Sequence, residues 1–100
     1  MKDMQENANI AANFLKGLAS KHRLLILCEL ATGEKSVSEL ISATGMAQTS
    51  MSQHLSKLKE ESIVVFRREH RTLFYSIDND AVFKIMDVLY HEFCEQGDKE

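Results

Sequence analysis

The sequence predicts a mainly α-helical domain carrying a β-hairpin, and three observations predict it. Ser36 to Glu61, SVSELISATGMAQTSMSQHLSKLKEE, reads as two short helices across a Thr44-Gly45 turn. In the second of these, Met51, Leu55 and Leu58 recur at i, i+4 and i+7, one narrow apolar stripe able to seat a helix on a core. The following stretch, IVVFRREHRTLFYSI, sets β-branched and aromatic residues on both sides of a charged middle, the pattern of a two-stranded hairpin turning near Glu69-His70. A helix-turn-helix followed by such a hairpin is a winged helix-turn-helix. With the flanking helical segments, about five helices and two strands are expected, in a single domain over residues 1–100 whose ends, 1–6 and 96–100, fray.

Each element has a local reason. Asn7 to Leu18 places Ala8, Ala11, Phe14, Leu15 and Leu18 on one face, as a packing or dimer helix would, with Gly17 weakening its end. Ser20 is a good N-cap, and Lys21 to Ala31 (KHRLLILCELA) is apolar on most sides after its first turn, as a central buried helix should be; Thr32-Gly33 ends it. Ser36 and Glu39 have capping-box spacing, so a helix starts at Val37 and turns Leu40, Ile41 and Ala43 inward. Asp80 to Cys94 carries Val82, Ile85, Met86, Leu89, Tyr90 and Phe93 at helical spacing. So long an apolar stripe on a terminal helix points to a subunit interface.

Composition narrows the function. One hundred residues, 44% hydrophobic, suit one domain with a modest core that gains by dimerising. The formal charge of -3 argues against a generally basic nucleic-acid binder. Its distribution matters more: between Ala47 and Tyr75, Lys57, Lys59, Arg67, Arg68 and Arg71 outnumber Glu60, Glu61 and Glu69, a local +2 against -5 elsewhere. No apolar run spans a bilayer, and the N-terminus lacks the basic start, apolar core and small-residue cleavage site of a secretory leader; a cytoplasmic location is the expectation. Two cysteines 66 residues apart are too few for a disulfide framework.

The face of the second motif helix opposite its apolar stripe carries Thr49, Ser52, Gln53, Ser56 and Lys57, with Gln48 and Ser50 in its first turn. Small hydroxyls, amides and an ammonium meet base edges and phosphates without bulk, which is what a helix entering a major groove of double-stranded DNA needs. An amphipathic surface helix with a solvated polar face is the plain alternative, and the basic hairpin weighs against it. On that hairpin Arg67, Arg68 and Arg71 are placed to hold phosphate bidentately or to reach a minor groove. Nothing in the chain assembles a nucleophile, base and oxyanion loop, so no catalysis and no cofactor are expected. On residues alone, Cys28 reads as a small hydrophobe in a buried helix.

The stretch SVSELISATGMAQTSMSQHLSKLKEESIVVFRREHRTLFYSI resembles the DNA-binding half of ArsR-type winged-helix repressors, and the likeness extends through ASKHRLLILCEL to nearly the whole chain. The resemblance implies a homodimer, formed through the terminal helices, that binds an inverted-repeat operator until an effector releases it. It also marks departures. Ser36-Val37-Ser38 stands where metal-sensing members carry Cys-Val-Cys, and neutral hydroxyls do not replace thiolates for a soft metal. On the last helix, ligand positions fall on Asn79, Ala81 and Glu92, and Glu95 alone matches. Ala47 stands where a hydroxyl usually caps the recognition helix, and His70 replaces a frequent wing glycine.

Cys28 in LILCEL and Cys94 in HEFCE instead resemble the two thiols of the family's sulfide-responsive, redox-sensing branch. That likeness implies a disulfide or polysulfide bridge within a subunit, with reactive sulfur species or oxidants as effector and no resident metal. A zinc site joining Cys28, His91 and Cys94 ranks lower for want of a fourth ligand. A winged helix that binds only proteins, its cysteines inert, is a further alternative.

Overall fold

The computed structural model describes residues 3–95, with side chains as far as residue 93. Helix α1 runs over Met4–Leu18, α2 over Lys21–Leu30, α3 over Val37–Thr44 and α4 over Gln48–Glu60. A short strand β1, Lys35–Ser36, precedes α3; β2 (Val64–Glu69) and β3 (Thr72–Ile77) follow α4. Helix α5, Asp80–Leu89, passes into π-helical turns over Tyr90–Glu95.

The expected helices are present and three of their caps operate. The Ser20 hydroxyl accepts from the Arg23 N–H at 3.4 Å. Ser36 and Glu39 close a complete capping box: Glu39 N–H donates to Ser36 Oγ at 3.1 Å, and Ser36 N–H to Glu39 Oε1 at 2.8 Å. As expected, Ala47 offers α4 no side-chain cap. Gly45 ends α3 in the left-handed region, φ 74°, a conformation that glycine adopts without steric cost.

Three expectations need amendment. Residues 1–6 were expected to fray, yet α1 begins at Met4. Asp3 explains the early start: its carboxylate accepts from Gln5 N–H at 3.2 Å, and Glu6 adds negative charge at the positive end of the helix dipole. The sheet has three antiparallel strands, ordered β1-β3-β2, because Lys35 and Ser36 pair with Tyr75 and Phe74. Two residues are too few to show an alternation. The terminal helix is α-helical only to Leu89. The apolar face of α1 is largely uncovered, with Leu18 buried and Phe14 half-buried while Ala8, Ala11 and Leu15 are exposed, so of the two roles expected for this helix the exposure suits a dimer helix. Residues 96–100 lie outside the described residues.

The core gathers Ile26, Leu27 and Leu30 of α2, Leu40 of α3, and Met51, Leu55 and Leu58 of α4. Val64, Tyr75, Val82 and Met86 close it from the sheet and α5. All three residues of the α4 stripe are at most 1% exposed, so the helix presents a fixed opposite face to solvent. The exit from α4 is a Schellman turn: Ile63 N–H bonds the Leu58 carbonyl at 2.9 Å and Ser62 N–H that of Lys59 at 3.0 Å. Ser62 therefore adopts φ 62°, where glycine is usual. Ile63 and Leu58 are both buried in the core cluster, and the chain leaves directly into β2.

Candidate nucleic-acid interface

Seating the Met51–Leu55–Leu58 stripe on the core turns the predicted reading residues outward. Gln48, Thr49, Ser52, Gln53, Ser56 and Lys57 are exposed, and Ser50 is half-buried. Ser52, Gln53, Ser56 and Lys57 line a shallow groove along α4 together with His54 and Glu60. Ser50 instead faces a cleft between the helix-turn-helix turn and the start of α2, where Lys21 and His22 lie. The side chains on the outer face are short or flexible, so donors and acceptors are available to a groove without displacing the core.

His54 lies inside the rim of that groove, its ring 5.3 Å from that of His22. Partial burial, reinforced by His22 and then Arg23, holds its pKa below the ordinary histidine value. The neutral form is therefore favoured near pH 7, and His54 adds no full positive charge to the reading face.

The wing divides its arginines. The hairpin pairs Glu69 with Thr72 across a two-residue loop, His70-Arg71, with His70 at φ 61°. Arg67 and Arg68 point to opposite faces, as successive strand residues do. The Arg67 guanidinium is already engaged: Nε and Nη2 meet the two Glu34 carboxylate oxygens at 2.8 and 2.9 Å, Glu69 lies at 3.7 Å, and Phe74 stacks beneath at 4.7 Å. The Glu34 hydrogen bonds raise its already high pKa. Arg68 and Arg71 are exposed, and among the described residues no hydrogen bond or ion pair holds either. Lys59, at the end of α4, sits over the Phe66 ring at 5.2 Å and braces the wing against the helix.

Sequence reasoning missed several partners. Glu34, in the loop before β1, takes Arg67; Arg23 bonds Glu61 and the Gly17 carbonyl; His22 meets His54. None carries a local signal, because each pairing closes a turn of the tertiary fold.

Cys28 is half-buried on α2 and lines an apolar cleft with Ala19, Leu24, Leu25 and the stem of Lys21. Cys94 falls in the π-helical turns, and its side chain lies outside the described residues, as therefore does the geometry of the pair. Among the described residues, no group of three or more His, Cys, Asp or Glu stands close enough to hold a metal ion. Two positions that resemble lost metal ligands have other work: the Ser36 hydroxyl caps α3, and Asn79 Oδ1 caps α5 by accepting from Val82 N–H at 3.0 Å. No described helix is long and apolar enough to cross a membrane.

A core-seated helix with a polar outer face, a left-handed glycine turn before it and a basic hairpin after it define a winged helix-turn-helix DNA-binding protein. Comparison with known proteins carries this to a family. The profile of the bacterial regulatory protein arsR family matches residues 20–65. The biofilm growth-associated repressor of Xylella fastidiosa is 39% identical over 95% of this chain and 83% of its own length. Among solved structures, the transcriptional regulator HlyU of Vibrio vulnificus superposes with a TM-score of 0.87 at 35% identity, covering 92% of this chain and 96% of that one. A homodimeric winged helix-turn-helix DNA-binding domain of Mycobacterium bovis does so with a TM-score of 0.71 at 31% identity, covering 99% and 94%. This chain belongs to the ArsR family and is a transcriptional regulator that binds DNA rather than an enzyme.

Proposed function

We propose that the chain acts as a homodimeric repressor on an inverted-repeat operator. The observation that carries this reading is the α4 face of Thr49, Ser52, Gln53, Ser56 and Lys57, exposed beside the unengaged Arg68 and Arg71 of the wing. The first set reads base edges; Lys57, Arg68 and Arg71 hold backbone phosphates. Two copies are needed because α1 exposes Ile10 (57%) and Leu15 (52%), and α5 with its extension exposes Phe83, Val88 and Phe93. Apolar helix faces of this extent call for cover, and a two-fold pairing of terminal helices supplies it. The recognition helices then meet half-sites about one helical turn apart, roughly 34–36 Å.

Release is assigned to Cys28 and Cys94. The support is their resemblance to the family's redox-sensing branch, together with the half-buried seat of Cys28 on α2, one helix removed from the reading head. One protein thiolate takes the outer sulfur of an organic persulfide and releases the organic thiol, and the second thiol then displaces that sulfur as hydrogen sulfide to leave a disulfide. Each sulfur retained in a longer bridge comes from a further persulfide, with release of a further organic thiol. A direct disulfide requires Cα atoms about 4.4–6.8 Å apart, and extra sulfur atoms span a wider gap. For release to follow, the bridged form must bind operator more weakly by about 1–3 kcal/mol.

The test treats reduced protein with an organic persulfide, reads intact mass without reductant, and titrates DNA by fluorescence anisotropy before and after. Bridged wild type loses affinity, while Cys28→Ser and Cys94→Ser stay bound. Unchanged affinity in fully bridged protein leaves the thiols as packing residues and removes the switch from them.

A further inference from the structure

One guanidinium joins three elements of this domain. Arg23 lies in the first turn of α2, its side chain only 11% exposed. Its Nη1 donates to the Gly17 carbonyl at 2.8 Å and to Glu61 Oε1 at 2.9 Å, and Nη2 donates to Glu61 Oε2 at 3.1 Å. The Gly17 carbonyl belongs to the last turn of α1, where helix carbonyls have no partner of their own. Glu61 caps the C-terminus of α4 and precedes the Schellman residue Ser62, from which the chain enters β2. The same side chain therefore grips the end of α1, the end of the recognition helix and the root of the wing.

The mechanical reason for such a clamp lies in how α4 is seated. Its apolar stripe fixes which face is buried, and the arginine adds a constraint at the C-terminal end of the helix. A planar, bidentate arginine–carboxylate pair specifies distance and orientation together. The other end of the linkage, α1, is a helix whose own domain covers only Leu18 and part of Phe14. An orientation set between α1 and α4 is thus an orientation set between the uncovered apolar face and the reading head.

We infer that Arg23 is a positioning residue for operator binding: by holding Gly17 and Glu61 at once it sets the angle of α4 and the wing relative to α1. In a dimer built on α1 and α5 it thereby sets the spacing of the two recognition helices. The inference rests on the dimeric, operator-binding reading above. It adds a role for a side chain that itself makes no contact with DNA.

Two properties separate positioning from direct contact and from bulk stability. A misplaced pair of reading heads loses a two-half-site operator more than it loses random duplex, which each head binds in any register. A residue that touches no phosphate leaves the salt dependence unchanged, whereas each lost phosphate contact shallows the slope of log affinity on log salt by about 1.

The experiment compares wild type, Arg23→Met, Arg23→Lys, Glu61→Gln and the Arg23→Met/Glu61→Gln double variant. The probes are a duplex selected by wild-type protein from a randomised pool and a random duplex, titrated by anisotropy across a salt series. Sedimentation and circular dichroism verify dimer and fold. Arg23→Met is expected to weaken the selected duplex about fivefold or more, within the range of site-to-site coupling. Random duplex is expected to change less than about twofold, with the salt slope kept. Arg23→Lys, which retains the charge but not the fork, recovers part of the loss, and the double variant loses no more than Arg23→Met. Glu61→Gln, an isosteric change at a half-exposed site, gives a smaller loss of the same kind and decides the matter should Arg23→Met not fold. Equal losses on both duplexes, a shallower salt slope, additive losses in the double variant, or full operator affinity in Glu61→Gln would each overturn the assignment. Wild-type protein that binds neither duplex in a salt-dependent manner would instead refute the DNA-binding reading beneath it.

Discussion

Arg67 and Arg68 are neighbours on one strand with the same charge, and the structure gives them different jobs. Arg67 holds Glu34 through two hydrogen bonds and stacks on Phe74, so its charge is already neutralised within the domain. Arg68 is exposed on the opposite strand face. If Arg68 holds one phosphate per protomer, Arg68→Ala removes two contacts per dimer, and the slope of log affinity on log salt shallows by about 1.8, at roughly 0.9 per contact. Over a fourfold rise in salt, from about 50 to about 200 mM, the deficit of the variant relative to wild type then shrinks by about tenfold. Arg67→Ala is expected to leave the slope untouched and to act only through the set of the wing. Anisotropy titrations of one duplex across a salt series measure both. Equal shallowing by the two variants would show that DNA draws Arg67 away from Glu34, and an unchanged slope in Arg68→Ala would remove Arg68 from the phosphate contacts.

Ser62→Gly is expected to stabilise the domain by about 0.5–1 kcal/mol, since glycine takes φ 62° without the cost a side chain meets there and loses only part of that gain to chain entropy. Gly45→Ala, at φ 74° with open space around the added Cβ, should lose about 1 kcal/mol by the same reasoning reversed; urea midpoints at fixed protein concentration measure both. Two groups contribute to the acid side of the stability curve. The Arg23 hydrogen bond holds the Glu61 pKa below the usual carboxylate range, so its contribution is present above the unfolded value of 4.5 and fades as pH falls through the folded one. His54, lowered chiefly by burial, stays neutral while the unfolded chain takes up a proton, so stability also declines as pH falls below 6.5. In a pH series of urea unfolding, His54→Gln reduces the upper decline and Glu61→Gln the lower, which is modest because Glu61 is 46% exposed. Ile10→Glu and Phe83→Glu place charge on the uncovered helix faces and should shift sedimentation toward monomer; a dimer as tight as wild type would move the interface elsewhere.

What the sequence disclosed and what it withheld follow from the range of the forces involved. The Met51–Leu55–Leu58 stripe and the Ser36–Glu39 capping box are settled within one or two turns of chain, and each is where the pattern puts it; the missing cap at Ala47 and the positive φ of His70 fall where the family resemblance marked departures. The early start of α1 is local too, set by the Asp3 cap and the charge of Glu6. Strand β1 was invisible because its two residues become a strand only when Tyr75 and Phe74 arrive beside them. The arginines show the limit most sharply. A count of positive charge between Ala47 and Tyr75 treats Arg67 and Arg68 alike and omits Arg23 altogether. The folded chain spends Arg67 on Glu34, 33 residues away, and Arg23 on Glu61, 38 residues away, leaving Arg68 and Arg71 turned to solvent. Charge patterning thus locates a basic region but not its free cations, since those are fixed by carboxylates that only the tertiary fold brings near. The electrostatic surface offered to DNA is accordingly smaller than the sequence suggests, and it lies on the wing tip and the outer face of α4. Of the two ion pairs, Arg67–Glu34 removes a cation from that surface and ties the wing to the loop before β1, while Arg23–Glu61 ties the end of α4 to α2.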